Sequence, residues 1–496
     1  MFSRLLPLLM LAWVPVFALQ AAEFVAGELM VKYRGTSVTG VRSAFPAGAS
    51  LEALAPGVVR VKLPRGQDPQ QARARLAADP RILHVQPNYI KRIQLIPDDN
   101  QFFHQWGMQN SGQEVLTAGG QRVRGVAGAD VSATAAWNVT TGDPGVVVAI
   151  IDTGVELAHA ELSANLWSNP GEAPGNGVDD DGNGYVDDIH GWDWADGDNV
   201  PDDGNGHGTQ IAGIIAARGN NQRQVAGLNW QLSVMVLRTF DSQGVSKTSD
   251  IVAAINYAVD NGARIINASY GTLGGVNRGA NNFDQLEFDA YDQARARGVL
   301  VVAAACNEGI NNDDGPEACV PASYSLSNIL AVAATDQNDV LARFSNWGSL
   351  TVDLAAPGAN IATIPWHNNA PDVVSVGNGT SVAAAFVSGA AALLLARGGE
   401  TLVASDLREL LVNNVDPLDA LAGIVASNGR LNVASALQAL EDGTAIQGSD
   451  TPSSSDGNTN VNINGGTRAG SSGGGALLWL LFLYGWLLWR RPLPPY

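Results

Sequence analysis

Between about residues 101 and 440 the chain alternates short, unbroken apolar runs with longer segments of helical spacing. "GVVVAIID" (145–152), "LSVMVLRTF" (232–240), "ARIINASYG" (263–271) and "GVLVVAAACN" (298–307) lack regular polar positions, so each predicts a strand buried on both faces. "TSDIVAAINYAVDNG" (248–262) reads as a helix, and "SVAAAFVSGAAALLLARGG" (381–399) as a helix apolar all round and therefore buried. Continuous apolar strands alternating with helices predict an α/β, doubly wound, mostly parallel sheet with helices on both faces. Sites in such sheets collect beyond the carboxyl ends of the strands, where Asp152 and Asn307 stand. Ahead of this region, residues 23–96 predict a small α+β unit. "GELMVKY" and "VVRVKL" alternate like strands, "DPQQARARLAAD" reads as a helix, and "ILHVQPNYI" as a closing strand. "PDDN" (97–100) is a polar break between the two.

Composition adds export and removes one class of partner. The 496 residues exceed one compact domain. With 29 basic and 48 acidic residues the net charge is −19 and no Lys/Arg-dense stretch occurs, which excludes a nucleic-acid binder. Residues 1–22 join a basic Arg4 to an apolar run and small residues, the pattern of a secretory signal peptide; a short membrane anchor is the alternative. Residues 441–475 are Gly/Ser/Asn/Asp-rich without periodicity and predict a flexible linker. In 476–496, an apolar run Ala476–Trp489, shorter than the ~20 residues of a membrane helix, precedes Arg490 and Arg491. This end resembles the glycine-glycine sorting signal of Gram-negative exported proteins, which implies transient membrane association before removal; a retained anchor is the other possibility. Cys306 and Cys319 are the two cysteines, and an exported chain makes one disulfide between them reasonable.

The chemistry centres on Ser381 in "GNGTSVAAAF". Alone, Thr380 or Ser381 is a good helix cap. A reactive serine needs a base, an orienting carboxylate and an oxyanion donor from elsewhere. "AIIDTGV" (149–155), "GNGHGTQIAG" (204–213) and "AAACNEG" (303–309) offer Asp152, His207 and Asn307, each unremarked in isolation. In the order Asp, His, Asn, Ser, within "DTG", "HGT", "NEG" and "GTS", they resemble the subtilisin-like serine peptidase (subtilase) family over about residues 101–440. The resemblance implies a secreted serine endopeptidase with Asp152, His207 and Ser381 as triad and Asn307 as oxyanion donor. It makes Ser269, Tyr270 and Gly271 of "NASYG" part of the wall that pairs with extended protein or peptide substrate. Residues 23–96 resemble the family's propeptide, an intramolecular inhibitor whose "VQPNY" leads a tail into the cleft. Two departures stand out. Val382–Phe386 replaces the family's Met-Ala-Ala-Pro-His, and Cys306 replaces a pocket-lining glycine. A bridge from Cys306 to Cys319 is implied there to narrow the pocket toward small or medium side chains.

"DDDGNGYVDDIH" (179–190) sets Asp179, Asp181, Asn183, the Tyr185 carbonyl and Asp187 at alternate positions around Gly184, as in an EF-hand-type calcium loop. His190 stands where a bidentate glutamate is usual, and a solvated acidic loop is the alternative. Two other functions compete: a surface-displayed binding or adhesion protein on a degraded peptidase scaffold, and a carboxylate-pair glycosidase, which leaves "HGT" and "GTS" without a role.

Overall fold

The computed structural model describes residues 24–443 apart from 36, 90–94 and 315–316. The leader, the linker beyond residue 443, the apolar tail and the stretch following "VQPNY" lie outside the described residues.

The first unit is a four-stranded antiparallel sheet, ordered Ser50–Ala55, Val58–Lys62, Phe24–Tyr33, Ile82–Tyr89. Alternation does the work here. Leu29, Val31, Val59 and Val61 face inward onto Ala72 and Leu76 of the helix Pro69–Ala77. That helix starts where Asp68 accepts the Gln70 N–H and Pro69 occupies the first turn, a position that needs no amide donor. The strand Ser50–Ala55 was not foreseen; five of its six residues are exposed, so its apolar pattern is weak.

The second unit carries a nine-stranded sheet in the order Asp416–Pro417, Gly429–Arg430, Leu354–Pro357, Ile329–Thr335, Leu300–Ala304, Ile265–Ala268, Gly142–Asp152, Gln231–Arg238, Gly191–Asp193. Every pairing is parallel except the one at the first edge. Side chains alternate between two cores, which explains the unbroken apolar runs. Val148 and Ile150 point into one core with the helices His207–Ala216 and Thr380–Gly398. Ala149 and Ile151 point into the other, against Thr248–Asp260 and Gln285–Ala296. The helix Thr380–Gly398 is long and apolar enough to cross a membrane, yet it is buried within the protein. From the strand Gly142–Asp152 the chain builds the sheet first to one side and then to the other, and Asp152 ends that strand at the switch point.

Ile214 sits 1% exposed in the first core. Ile214→Ala is expected to destabilise the protein by about 2–5 kcal/mol, read as a lowered thermal midpoint. A loss below about 0.5 kcal/mol, the range of surface sites, would contradict this packing.

Candidate active site

The Asp152 carboxylate is 3% exposed at the end of its strand, where a charge needs partners. Its Oδ1 accepts from the Thr153 N–H at 2.7 Å and from His207 Nδ1 at 2.8 Å. With Nδ1–H turned to the carboxylate, His207 Nε2 faces the Ser381 hydroxyl at 3.2 Å. Three residues from three elements, with 174 positions between His207 and Ser381, thus form one continuous line.

His207 is the first residue of the helix His207–Ala216, entered through Gly206 at φ 103°. The close approach is made possible by Gly208, where a Cβ would lie 2.0 Å from the Gly154 carbonyl oxygen. Asp203, 5% exposed, locks the two turns together. It accepts from Thr153 Oγ1, the Asn205, Gly206 and Thr209 amides, and Thr209 Oγ1 at 2.6–2.9 Å. Thr153 Oγ1 in turn accepts from the Gly208 N–H. Sequence reasoning missed Asp203; its signal was a carboxylate four residues before the histidine in a glycine-rich turn. Burial by itself lowers the His207 pKa, but the Asp152 charge and hydrogen bond, with the Asp203 charge, outweigh it and leave the pKa raised.

Ser381 stands in the first turn of Thr380–Gly398, and its N–H donates to no protein acceptor among the described residues, as expected of a helix start. Asn307 Oδ1 accepts from the Thr380 N–H and hydroxyl at 2.9 and 3.2 Å, which leaves its amide nitrogen as the open end. Both residues line a cleft of about 350 Å³ that also takes in Asp152, His207, Ser269–Gly271 and Cys306. Ser269 does more than line it: its hydroxyl donates to the Ser381 carbonyl at 3.1 Å, fastening the wall to the helix. Cys306 and Cys319 are disulfide-bonded with Cα atoms 5.8 Å apart. Cys306 adopts φ 77°, a conformation that favours glycine. The two sulfurs lie against Gly271, each 2.6 Å from where a Cβ would be.

The acidic loop divides its predicted ligands. Asp179 and Asp181 come together with Glu172, with oxygens within 4.8 Å of one another. Glu172, seven residues upstream, was missed because it lies outside the repeating pattern; it also accepts from the Asp180, Asp181 and Asp187 amides. Asn183 Oδ1 accepts from the Tyr185 N–H, and Asp187 turns to the Asn176 and Gly177 amides. The Tyr185 ring anchors the loop against Trp192, Trp194 and Tyr257. His190 Nδ1 donates to the Trp167 carbonyl at 2.7 Å.

The subtilase family model matches residues 143–458, and a fervidolysin N-terminal prodomain model matches residues 14–88. A thermophilic serine proteinase of Bacillus sp. (strain AK1) is 32% identical over 355 residues, 71% of this chain and 72% of its own. Thermitase of Thermoactinomyces vulgaris is 35% identical over 309 residues, 62% of this chain and 94% of its own. An extracellular protease of Xanthomonas campestris pv. campestris is 30% identical over 437 residues, covering 82% of this chain and 70% of its own. The solved structure of a protease from Pseudoalteromonas arctica covers 69% of this chain and 99% of its own at 28% identity, with a TM-score of 0.50. The chain therefore belongs to the subtilase family: it is a subtilisin-like serine protease, a hydrolase, that carries an N-terminal prodomain of the fervidolysin type.

Proposed function

We propose that the protein is an exported, self-processing serine endopeptidase that cuts extended polypeptides through an acyl-enzyme. The observation that carries this is His207 standing between Asp152 and the Ser381 hydroxyl. Ser381 Oγ attacks the scissile carbonyl carbon while its proton passes to His207 Nε2. Asp152 stabilises the imidazolium without taking the proton. Negative charge on the carbonyl oxygen is met by the Asn307 amide and the Ser381 N–H; losing one such donor typically lowers kcat by about 10²–10³-fold. As the C–N bond breaks, His207 returns the proton to the leaving amine. Water then attacks the acyl-enzyme with His207 again as base. The segment Ser269–Gly271, which continues the strand Ile265–Ala268, pairs with extended backbone, a mode that accepts many sequences.

The surrounding segments take roles that fit this chemistry. Residues 1–22 direct export, and residues 23–96 act as an inhibitory propeptide. Residues 101–440 form the catalytic domain and 441–475 a linker. Residues 476–496 hold the chain briefly at a Gram-negative-type cell membrane before removal near Gly473–Gly475. Calcium is proposed for the acidic loop. Glu172, Asp179 and Asp181 supply hard oxygen donors at close range, and their mutual repulsion is relieved by a divalent cation. Asn183 and the Tyr185 carbonyl add neutral oxygens, while Asp187, whose carboxylate is turned to the Asn176 and Gly177 amides, is left out of the proposed set. The role there is structural, remote from the proton transfers.

Ser381→Ala is expected to abolish peptide hydrolysis and labelling by a covalent serine probe. The propeptide should stay attached, whereas mass spectra of the mature wild type lack both residues before about 97 and the "WRRPLPPY" end. Labelling retained in the variant would sink the assignment of Ser381, and absent labelling of the wild type would favour a degraded binding scaffold. Normal maturation of the variant would assign the cut to another protease, and a retained "WRRPLPPY" would mean an anchor.

Because His207 must be neutral to act as base and its pKa is raised, kcat should fall as pH drops through a midpoint above the ordinary value of about 6.5. A midpoint at or below that value would contradict the Asp152–His207 coupling.

Chelation of divalent cations should lower the thermal midpoint, since a ligand of the native state alone stabilises by mass action. Glu172→Gln should remove part of that sensitivity. An unchanged melting curve in excess chelator would refute exchangeable calcium.

A further inference from the structure

Behind the cleft wall, the helix Gln285–Ala296 buries Glu287 at 7% exposure. Nothing in the proposed mechanism uses this carboxylate. Its Oε1 accepts from the Tyr270 hydroxyl at 3.2 Å and its Oε2 from the Tyr324 hydroxyl at 2.8 Å. The Tyr270 oxygen also meets the Tyr291 hydroxyl. Tyr270 has one proton and gives it to Glu287, so Tyr291 must donate to Tyr270. The result is an ordered chain from Tyr291 through Tyr270 to Glu287, joined from the other side by Tyr324.

The charges around Glu287 are few. Asp284, the cap of its own helix, adds a like charge and is held by the Thr248 hydroxyl and the Glu287 N–H. Tyr270, Tyr291 and Tyr324 are the other titratable groups facing it. The cations near this helix are engaged elsewhere: Arg278 pairs with Asp289 and covers the Phe288 ring, Arg295 pairs with Asp292, and Arg297 with Asp260. Glu287 makes no ion pair among the described residues. Burial therefore pushes its pKa up to about 7, with Asp284 adding to the rise and the Tyr324 and Tyr270 hydrogen bonds opposing it.

Tyr270 connects this network to substrate. It lines the cleft between Ser269 and Gly271, and its ring packs on Phe240, another lining residue, at 5.2 Å. We propose that Glu287 is a positioning residue for substrate binding: its carboxylate, acting through the Tyr270 hydroxyl, holds the cleft wall in the form that pairs with substrate. Protonation undoes this in a defined way. A carboxylic acid must donate one hydrogen bond, yet both of its partners already point their protons at it. Either one contact breaks, or the hydroxyls turn so that Glu287 donates to Tyr270 and Tyr270 to Tyr291; in both cases Tyr270 loses its bond to a charged carboxylate. Above the transition the wall is held by a charge-assisted bond; below it the hold is weaker.

The proposal rests on the cleft being the substrate site, and the test separates the two. Steady-state kinetics on an extended peptide from pH 5.5 to 9 should show KM falling several-fold as pH rises through about 7, the Glu287 transition, while kcat follows His207. Glu287→Gln should keep the kcat limb and lose the KM step, and Tyr270→Phe, which removes only the hydroxyl, should lose the step too. A flat wild-type KM over this range, or a step unchanged in both variants, overturns the proposal. Covalent serine-probe labelling on the same samples reports the triad independently, so labelled enzyme with a flat KM overturns the role of Glu287 alone.

Discussion

A parallel strand sealed on both faces meets water only at its ends, and this constraint organises the whole catalytic unit. Val148 and Ile150 are taken by one core, Ala149 and Ile151 by the other, so the first side chain free to be polar is Asp152. The same holds for the strand Leu300–Ala304, whose continuation delivers Asn307. The buried helix Thr380–Gly398 supplies the complement. Its body has no solvent face, and its open amide end is left at the cleft with Ser381 in it. Chemistry and packing are therefore two aspects of one arrangement: the core determines where the reactive ends emerge.

Within that frame, position is refined by buried polar groups that touch no substrate. Asp203 satisfies five donors from the two turns that carry Asp152 and His207. Ser269 ties the substrate wall to the carbonyl of Ser381, and Asn267 links Ser269 to Ser388 one level deeper. Buried networks of this kind are strong because every member is paired, and vulnerable because removing one leaves another stranded.

Much of this was legible from the chain. Short apolar runs rich in β-branched residues fit a strand covered on both faces and are too short for a core helix, so "GVVVAIID" and its counterparts could be read as central strands. The four glycine-flanked polar residues could be read as a group because their order matches a known pattern. What escaped reading has a common cause. Glu287 sits in "QLEFDAYDQARA", where a glutamate on a polar helix is exposed by default. Only the tertiary approach of Tyr270 and Tyr324, from 17 and 37 positions away, reveals it as buried. Glu172 joins Asp179 and Asp181 by a fold of the chain that no periodicity encodes. Local pattern identifies elements; it does not identify which polar residues another element will cover.

The disulfide behind the cleft has a consequence for how the sequence can change. Gly271 has space for a hydrogen and nothing larger because both sulfurs occupy the position of a Cβ. Cys306, at a backbone angle that suits glycine, is retained together with that restriction. Positions 271, 306 and 319 therefore form one epistatic unit. A side chain at 271 meets both sulfurs while the bridge is present, and without it the Val320 carbonyl oxygen still stands 3.1 Å from a Cβ. Enlarging the residue at 271 therefore requires the bridge to go or shift and the neighbouring strand to give as well.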